Sequence, residues 1–158
     1  MEITKEEHPV TSVIFDWERT MWDPEAEALF PGALELVEKL AVHYDLYIVS
    51  MASKGEAEIE RRKKLIQDLG LTPSFKEIVF VTEEKGEAHA SVFKQYSLIP
   101  AHTMIVDDRM IRGVARGNSV GAVTVRFQNG KFAEELPDES TGQPTYHIRA
   151  FTELADIP

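Results

Sequence analysis

The chain has 158 residues, 27 of them acidic and 17 basic, for a formal net charge of −10. Hydrophobic residues at 43% and charged residues at 28% exclude a disordered or collagen-like chain, and the acidic balance makes nucleic acid an unexpected partner. The absence of cysteine excludes disulfides, zinc–thiolate sites and thiol nucleophiles.

The N-terminus, Met1-Glu-Ile-Thr-Lys-Glu-Glu, carries charge where a signal peptide needs an apolar core. No apolar run approaches the roughly 20 residues of a membrane-spanning helix. No membrane partner is therefore expected, and the cytoplasm is the expected location.

Val10 to Phe15 is apolar and β-branched and runs into Asp16, which predicts a strand buried on both faces. Residues 17 to 31 read as irregular, broken by Pro24 and Pro31. Pro31-Gly32 opens a helix with Leu34, Val37, Leu40 and Ala41 at helical spacing. Leu46 to Val49 is a second strand, ending at Ser50. Ser53 is the predicted cap of a helix over 54–69, closed by Gly70. Its basic run Arg61-Arg62-Lys63-Lys64 lies among acids and reads as a solvated face.

Ile78 to Val81 is a third strand, and Glu87 to Tyr96 a helix. Met104 to Val106 is a fourth strand running into Asp107-Asp108, with a short helix after it to about Gly117. Ala122 to Phe127 is a fifth strand. Asn129-Gly130 predicts a hairpin-type turn, Glu134 to Pro144 a loop, and Tyr146 to Ile148 a sixth strand. Thr152 is the expected cap of a last short helix. This alternation predicts an α/β fold with a mainly parallel sheet and helices on both faces.

In such sheets ligands bind beyond the carboxyl ends of the strands. Those ends deliver Asp16 and Glu18, then Ser50, then Lys85 after the third strand, then Asp107 and Asp108. If the first and fourth strands are neighbours, Asp16, Asp107 and Asp108 converge, and like charges at that range call for a cation. Mg²⁺, a hard cation with oxygen ligands, is the natural occupant. Lys85 would add a fixed positive charge and Ser50 a hydrogen-bond donor for a phosphoryl group; Lys94 is the competing lysine. An activated aspartate can act as a nucleophile, forming an acyl-phosphate that water hydrolyses. The five histidines show no paired metal spacing, and Trp17 and Trp22 read as packing residues.

Phe15-Asp16-Trp17-Glu18-Arg19-Thr20 resembles the first motif of the haloacid dehalogenase-like hydrolase superfamily, Asp-x-Asp-x-Thr after an apolar strand. Ser50, Lys85 and Met104-Ile105-Val106-Asp107-Asp108 resemble its second, third and fourth motifs, over roughly residues 10 to 154. The Thr20-Met21-Trp22 run and the double Asp are similar to its magnesium-dependent phosphatase group. The resemblance implies a three-layer, Rossmann-like fold with sheet order 5-4-1-2-3. It implies Asp16 as nucleophile and Mg²⁺ ligand, and residue 18 as general acid/base with its main-chain carbonyl on the metal. Ser50 and Lys85 would hold the phosphoryl group, and Asp107 and Asp108 would complete the metal site. A phosphorylated small molecule or macromolecule is then the expected substrate.

Two positions depart from the family pattern: Glu18 replaces the usual Asp, and Arg112 stands near a further family acid. The first leaves open a catalytically impaired domain that binds metal or a partner without efficient turnover. A covalent step on a non-phosphate leaving group, as in dehalogenases, fits less well, because those relatives do not need the metal that Asp107 and Asp108 imply. Only 34 positions separate Asp16 from Ser50, and no insertion fits between Val81 and Lys85. One domain over 1–158 without a cap is thus expected, with an open site. Trp17, Met21, Trp22, Leu29 and Phe30 would give a short flap an apolar surface for a bulky substrate or for a second copy of the chain covering the site.

Overall fold

The structure, a computed structural model, describes residues 9–83 and 86–157. In chain order it runs β1 (Ser12–Phe15), β2 (Trp22–Asp23), β3 (Ala28–Leu29), α1 (Ala33–His43), β4 (Asp45–Met51), α2 (Glu56–Asp68), β5 (Glu77–Val81) and α3 (Gly86–Gln95). There follow β6 (Thr103–Asp107), a π-helical turn (Met110–Val114), α4 (Ala115–Val120), β7 (Val123–Phe127) and β8 (Tyr146–Ile148). Short 3-10 turns lie at Thr72–Ser74, Pro100–His102 and Gly130–Phe132, and a longer one, Phe151–Asp156, ends the fold.

The large sheet has the order β5-β4-β1-β6-β7-β8, with every pair parallel. Counted from the sixth strand inward this is the expected 5-4-1-2-3 order with one strand added at the edge. Strand alternation divides the core into two layers. Val13, Phe15, Leu46, Ile48, Val106, Val125 and Phe127 face one layer, with Val37 of α1, Ile59 and Ile66 of α2, and Phe151 and Leu154. Ile14, Tyr47, Val49 and Ile105 face the other, with Val92 of α3. Among the described residues no helix is long and apolar enough to cross a membrane.

Several local expectations are corrected. Ser53 does not cap α2, whose N-cap is Gly55 with no side-chain cap bond; the Glu58 side chain instead accepts the Lys54 N–H at 2.9 Å. Thr152 is likewise not a cap: the last turn starts at Ala150, whose N–H donates to Glu153 at 3.1 Å. Asn129-Gly130 makes no hairpin, because β7 and β8 are parallel and parallel strands need a crossover. The Asn129 side chain instead donates to the carbonyls of Arg19 at 2.7 Å and Phe127 at 3.1 Å, tying the crossover to the loop after β1. Residues 17 to 31 are less irregular than expected, holding the antiparallel β2–β3 pair.

Trp17 and Trp22 pack as their sequence reading has it, and the apolar surface expected of this segment turns inward instead. Trp17 and Met21 are buried, and Trp22, Leu29 and Phe30 pack on the same core. Trp17 stacks on Trp22 at 6.0 Å, and Phe30 meets Phe127 at 4.8 Å. Burying these rings fixes the loop more firmly than its short strands could.

Phe15 anchors the central strand. It is fully buried, stacked on Phe151 at 6.0 Å and edge-on to Phe75 at 6.4 Å. Phe15→Ala should cost about 3–5 kcal/mol through the cavity it leaves, lowering the thermal midpoint by roughly 10 °C, as followed by circular dichroism.

Candidate active site

β1 and β6 pair in register, with Phe15 opposite Val106, and the Asp16 N–H donates to the Val106 carbonyl at 3.0 Å. The next residues, Asp16 and Asp107, therefore leave adjacent strands at the same level. Asp16, Asp107 and Asp108 each place a carboxylate oxygen within 4.8 Å of the others. Asp107 and Asp108 are buried. β4 lies on the other side of β1 and brings in Ser50, whose hydroxyl donates to Asp16 Oδ1 at 2.6 Å. The Ser50 oxygen in turn accepts the Trp17 N–H at 3.3 Å.

Asp107 is held by the backbone that follows it. Its Oδ1 accepts the Arg109 N–H at 2.9 Å. A methyl group at Gly113 would overlap its carboxylate, so the π-helical turn can pass only because residue 113 has no side chain. Arg126 on β7 lies buried beside Asp108, donating Nε to its carbonyl at 3.3 Å and Nη2 to the Phe132 carbonyl at 3.0 Å. Burial pulls its guanidinium below the ordinary arginine range, opposed by the charges of Glu135 and Asp108.

Asp16, Glu18, Ser50 and Asp108 line one cavity of about 250 Å³. Glu18 stands at its edge, with its side chain 47% exposed and Oε2 3.6 Å from Arg62 Nη2. Lys85 lies outside the described residues. Lys94 is exposed in the last turn of α3 and does not line the cavity. The sequence-based set is thus brought together at Asp16, Ser50, Asp107 and Asp108, with Glu18 at the rim.

Among the described residues, five cations also line the cavity: Arg19, Arg62, Arg109, Arg112 and Lys131. Arg62 corrects the reading of its basic run as a solvated face. Its side chain is 15% exposed and bridges Glu58 at 2.7 Å and Glu18, with Nη1 donating to the Met51 carbonyl at 3.2 Å. Arg19 adopts a left-handed backbone (φ 62°), a strained state for a non-glycine residue, and pairs with Glu25 at 2.7 Å. Arg109 pairs with Glu135 at 3.0 Å and lies 3.7 Å above the Phe132 ring, a cation–π contact. Glu135 also accepts the Met110 and Ile111 N–H groups, closing the start of the turn after Asp108.

Sequence reasoning missed Lys131, Phe132 and Glu135, which belong to the β7–β8 crossover and reach the site only through the tertiary fold. The pair Arg112 and Arg116 did carry a signal: a spacing of four puts two arginines on one helical face shortly after the double Asp.

No family model matches the chain. It is 31% identical over 140 residues to YfnB of Bacillus subtilis, which carries the name HAD-hydrolase; the match covers 84% of this chain and 55% of that protein. The magnesium-bound crystal structure of YfnB superposes with a TM-score of 0.66 at 27% identity, over 82% of this chain and 55% of the other. The glyceraldehyde 3-phosphate phosphatase of Methanocaldococcus jannaschii is 31% identical over 106 residues, 63% of this chain and 44% of that enzyme. A haloacid dehalogenase-like hydrolase from Xanthomonas campestris shares the fold, with a TM-score of 0.71 at 12% identity, over 92% of this chain and 93% of that one. The chain spans about half the length of the curated relatives it matches.

Glu135→Ala should free the Arg109 guanidinium and leave two amide N–H groups without their acceptor. The expected loss is about 2 kcal/mol, read as a fall of several degrees in thermal midpoint; an unchanged midpoint would show that the contact contributes nothing. In sequence and in fold, the chain's homologues are haloacid dehalogenase-like hydrolases.

Proposed function

We propose that the chain is a Mg²⁺-dependent phosphatase that hydrolyses phosphate monoesters through a phosphorylated Asp16. The observation that carries this reading is the convergence of three carboxylates at the end of β1 and β6, with a serine hydroxyl on the foremost of them. Phosphatase relatives and the magnesium-bound YfnB structure support it.

The donor set fits the metal. Three aspartate oxygens within 4.8 Å, two of them on buried residues, form an all-oxygen site for a hard divalent cation. Asp16, Asp107, Asp108 and the Glu18 carbonyl would hold it. Bound there, Mg²⁺ would offset the charge of the phosphoryl group.

Asp16 would attack phosphorus through one carboxylate oxygen while the bond to the leaving alcohol breaks. The Glu18 carboxyl would give that alcohol its proton. In the second step Glu18, now a carboxylate, would take a proton from water as the water oxygen attacks phosphorus. The bond to Asp16 then breaks, releasing inorganic phosphate and restoring both acids. Ser50 would steer Asp16 before substrate binds and then turn its single O–H to a phosphoryl oxygen, Lys85 would contribute its charge, and the paired arginines of the cavity would supply a positive field.

Loss of activity on p-nitrophenyl phosphate after EDTA, with return on added Mg²⁺, is the expected result. Asp16→Asn should remove turnover altogether, because the amide cannot form the intermediate. Absence of turnover by the intact Mg²⁺-loaded protein across a broad phosphate-ester panel would overturn the proposal.

One observation favours a second reading, a slow or non-turning domain: Glu18 is half exposed and drawn toward Arg62. A longer arm displaces the acid by roughly 1 Å, enough to cost about 10²-fold. Glu18→Asp separates the two. A rise of about 10-fold or more in kcat marks an impaired native chain; an equal or lower kcat marks a Glu adapted to its place. Glu18→Gln should lose roughly 10²–10⁴-fold if Glu18 moves the proton.

Neither the segment from β1 to β4 nor that from β5 to β6 holds a further folded unit among the described residues. An open site able to admit large phosphorylated substrates is consistent with this. A second copy of the chain covering it remains part of the proposal, testable by light scattering with and without substrate.

A further inference from the structure

A second cavity, of about 450 Å³, adjoins the catalytic one and shares Met51 and Arg112 with it. Its size lies within the range of small-molecule sites. Met51, Ile111 and Ala115 give it apolar wall; Arg112, Arg116, Ser119 and the buried His89 give it polar wall. No carboxylate lines it among the described residues, although the chain carries ten more acids than bases.

Arg112 stands at the junction. Arg19, Arg62 and Arg109 in the catalytic cavity are each held by a glutamate, whereas no ion pair to Arg112 is formed among the described residues. Arg112 and Arg116 are four residues apart and face the same cavity. A guanidinium fork suits carboxylate and phosphate alike.

We propose that this second cavity receives the leaving group of the substrate, and that this group carries a second anion, a carboxylate or phosphate, bound by Arg112 and Arg116. The inference rests on the phosphatase reading. Asp16 and Ser50 would take the scissile phosphoryl group, and the carbon chain would lie along Met51 and Ile111 toward the arginines. Arg112 is then a specificity-determining residue, selecting doubly anionic esters over those with a neutral tail.

The test compares matched pairs on the Mg²⁺-loaded protein. These are 3-phosphoglycerate with glycerol 3-phosphate, 6-phosphogluconate with sorbitol 6-phosphate, and fructose 1,6-bisphosphate with fructose 6-phosphate. The first two pairs read a carboxylate tail at two lengths, the third a phosphate tail. In at least one pair the anionic member should show about 10-fold or higher kcat/KM. Arg112→Gln should collapse that ratio toward one, and Arg112→Lys should restore part of it. Calorimetric titration of the same esters into Asp16→Asn gives a readout that needs no turnover.

Ratios near one in all three pairs would overturn the proposal and leave the phosphatase reading standing. Equal losses on both members of a pair in Arg112→Gln would also overturn it, assigning Arg112 to the scissile phosphate. Arg112-dependent preference in binding without any turnover would keep the anion subsite and remove the catalysis.

Discussion

Three aspartates held at the ends of two adjacent parallel strands set the terms for everything around them. Their mutual repulsion is built into the register of β1 with β6, and parallel pairing leaves no freedom to stagger them apart without turning core side chains outward. The fold therefore has to hold that charge in place. It does so with hydrogen bonds from Ser50 and the Arg109 N–H, with the buried Arg126 behind Asp108, and with a glycine where the following turn crosses Asp107. A divalent cation completes the same balance in the proposed function.

The architecture and the heart of the site were legible because they depend on local pattern. Buried strands wrote themselves as short apolar runs, and the polar side chains that converge at the candidate site, Asp16, Ser50 and Asp107-Asp108, followed directly at their carboxyl ends. The order of the five inner strands followed from the family resemblance, not from periodicity. What stayed hidden depends on contacts between distant segments. Arg62 sits in a run of charges that looks solvated, yet its guanidinium turns back to the Met51 carbonyl at 3.2 Å. Glu135 reads as a loop acid and acts 24–26 residues away. Asn129-Gly130 has the composition of a hairpin turn, but the parallel partner strand overrules it and the Asn becomes a latch. Trp17 and Trp22 pack as read, whereas Met21 looks like flap surface until it is seen to be core.

The distribution of cations gives the acidic chain its local polarity. Net charge steers a molecule in solution, whereas the field inside a cleft is set by the groups that line it. Among the described residues, five cations line the candidate cavity beside Asp16, Glu18 and Asp108, so positive groups gather in one cleft of an acidic chain. Most are tied to glutamates that fix their position, so the field is preorganised and needs little reorganisation when an anion arrives.

The β7–β8 crossover couples parts of the molecule that the motifs alone would leave independent. Through Asn129 it grips the loop bearing Glu18, through Phe132 and Glu135 it grips Arg109, and through the Phe132 carbonyl it grips Arg126. Docking of this segment and occupancy of the site are thereby thermodynamically linked. An anion or cation bound among these residues would suppress local opening of the crossover, and a loosened crossover would weaken binding by the same free energy.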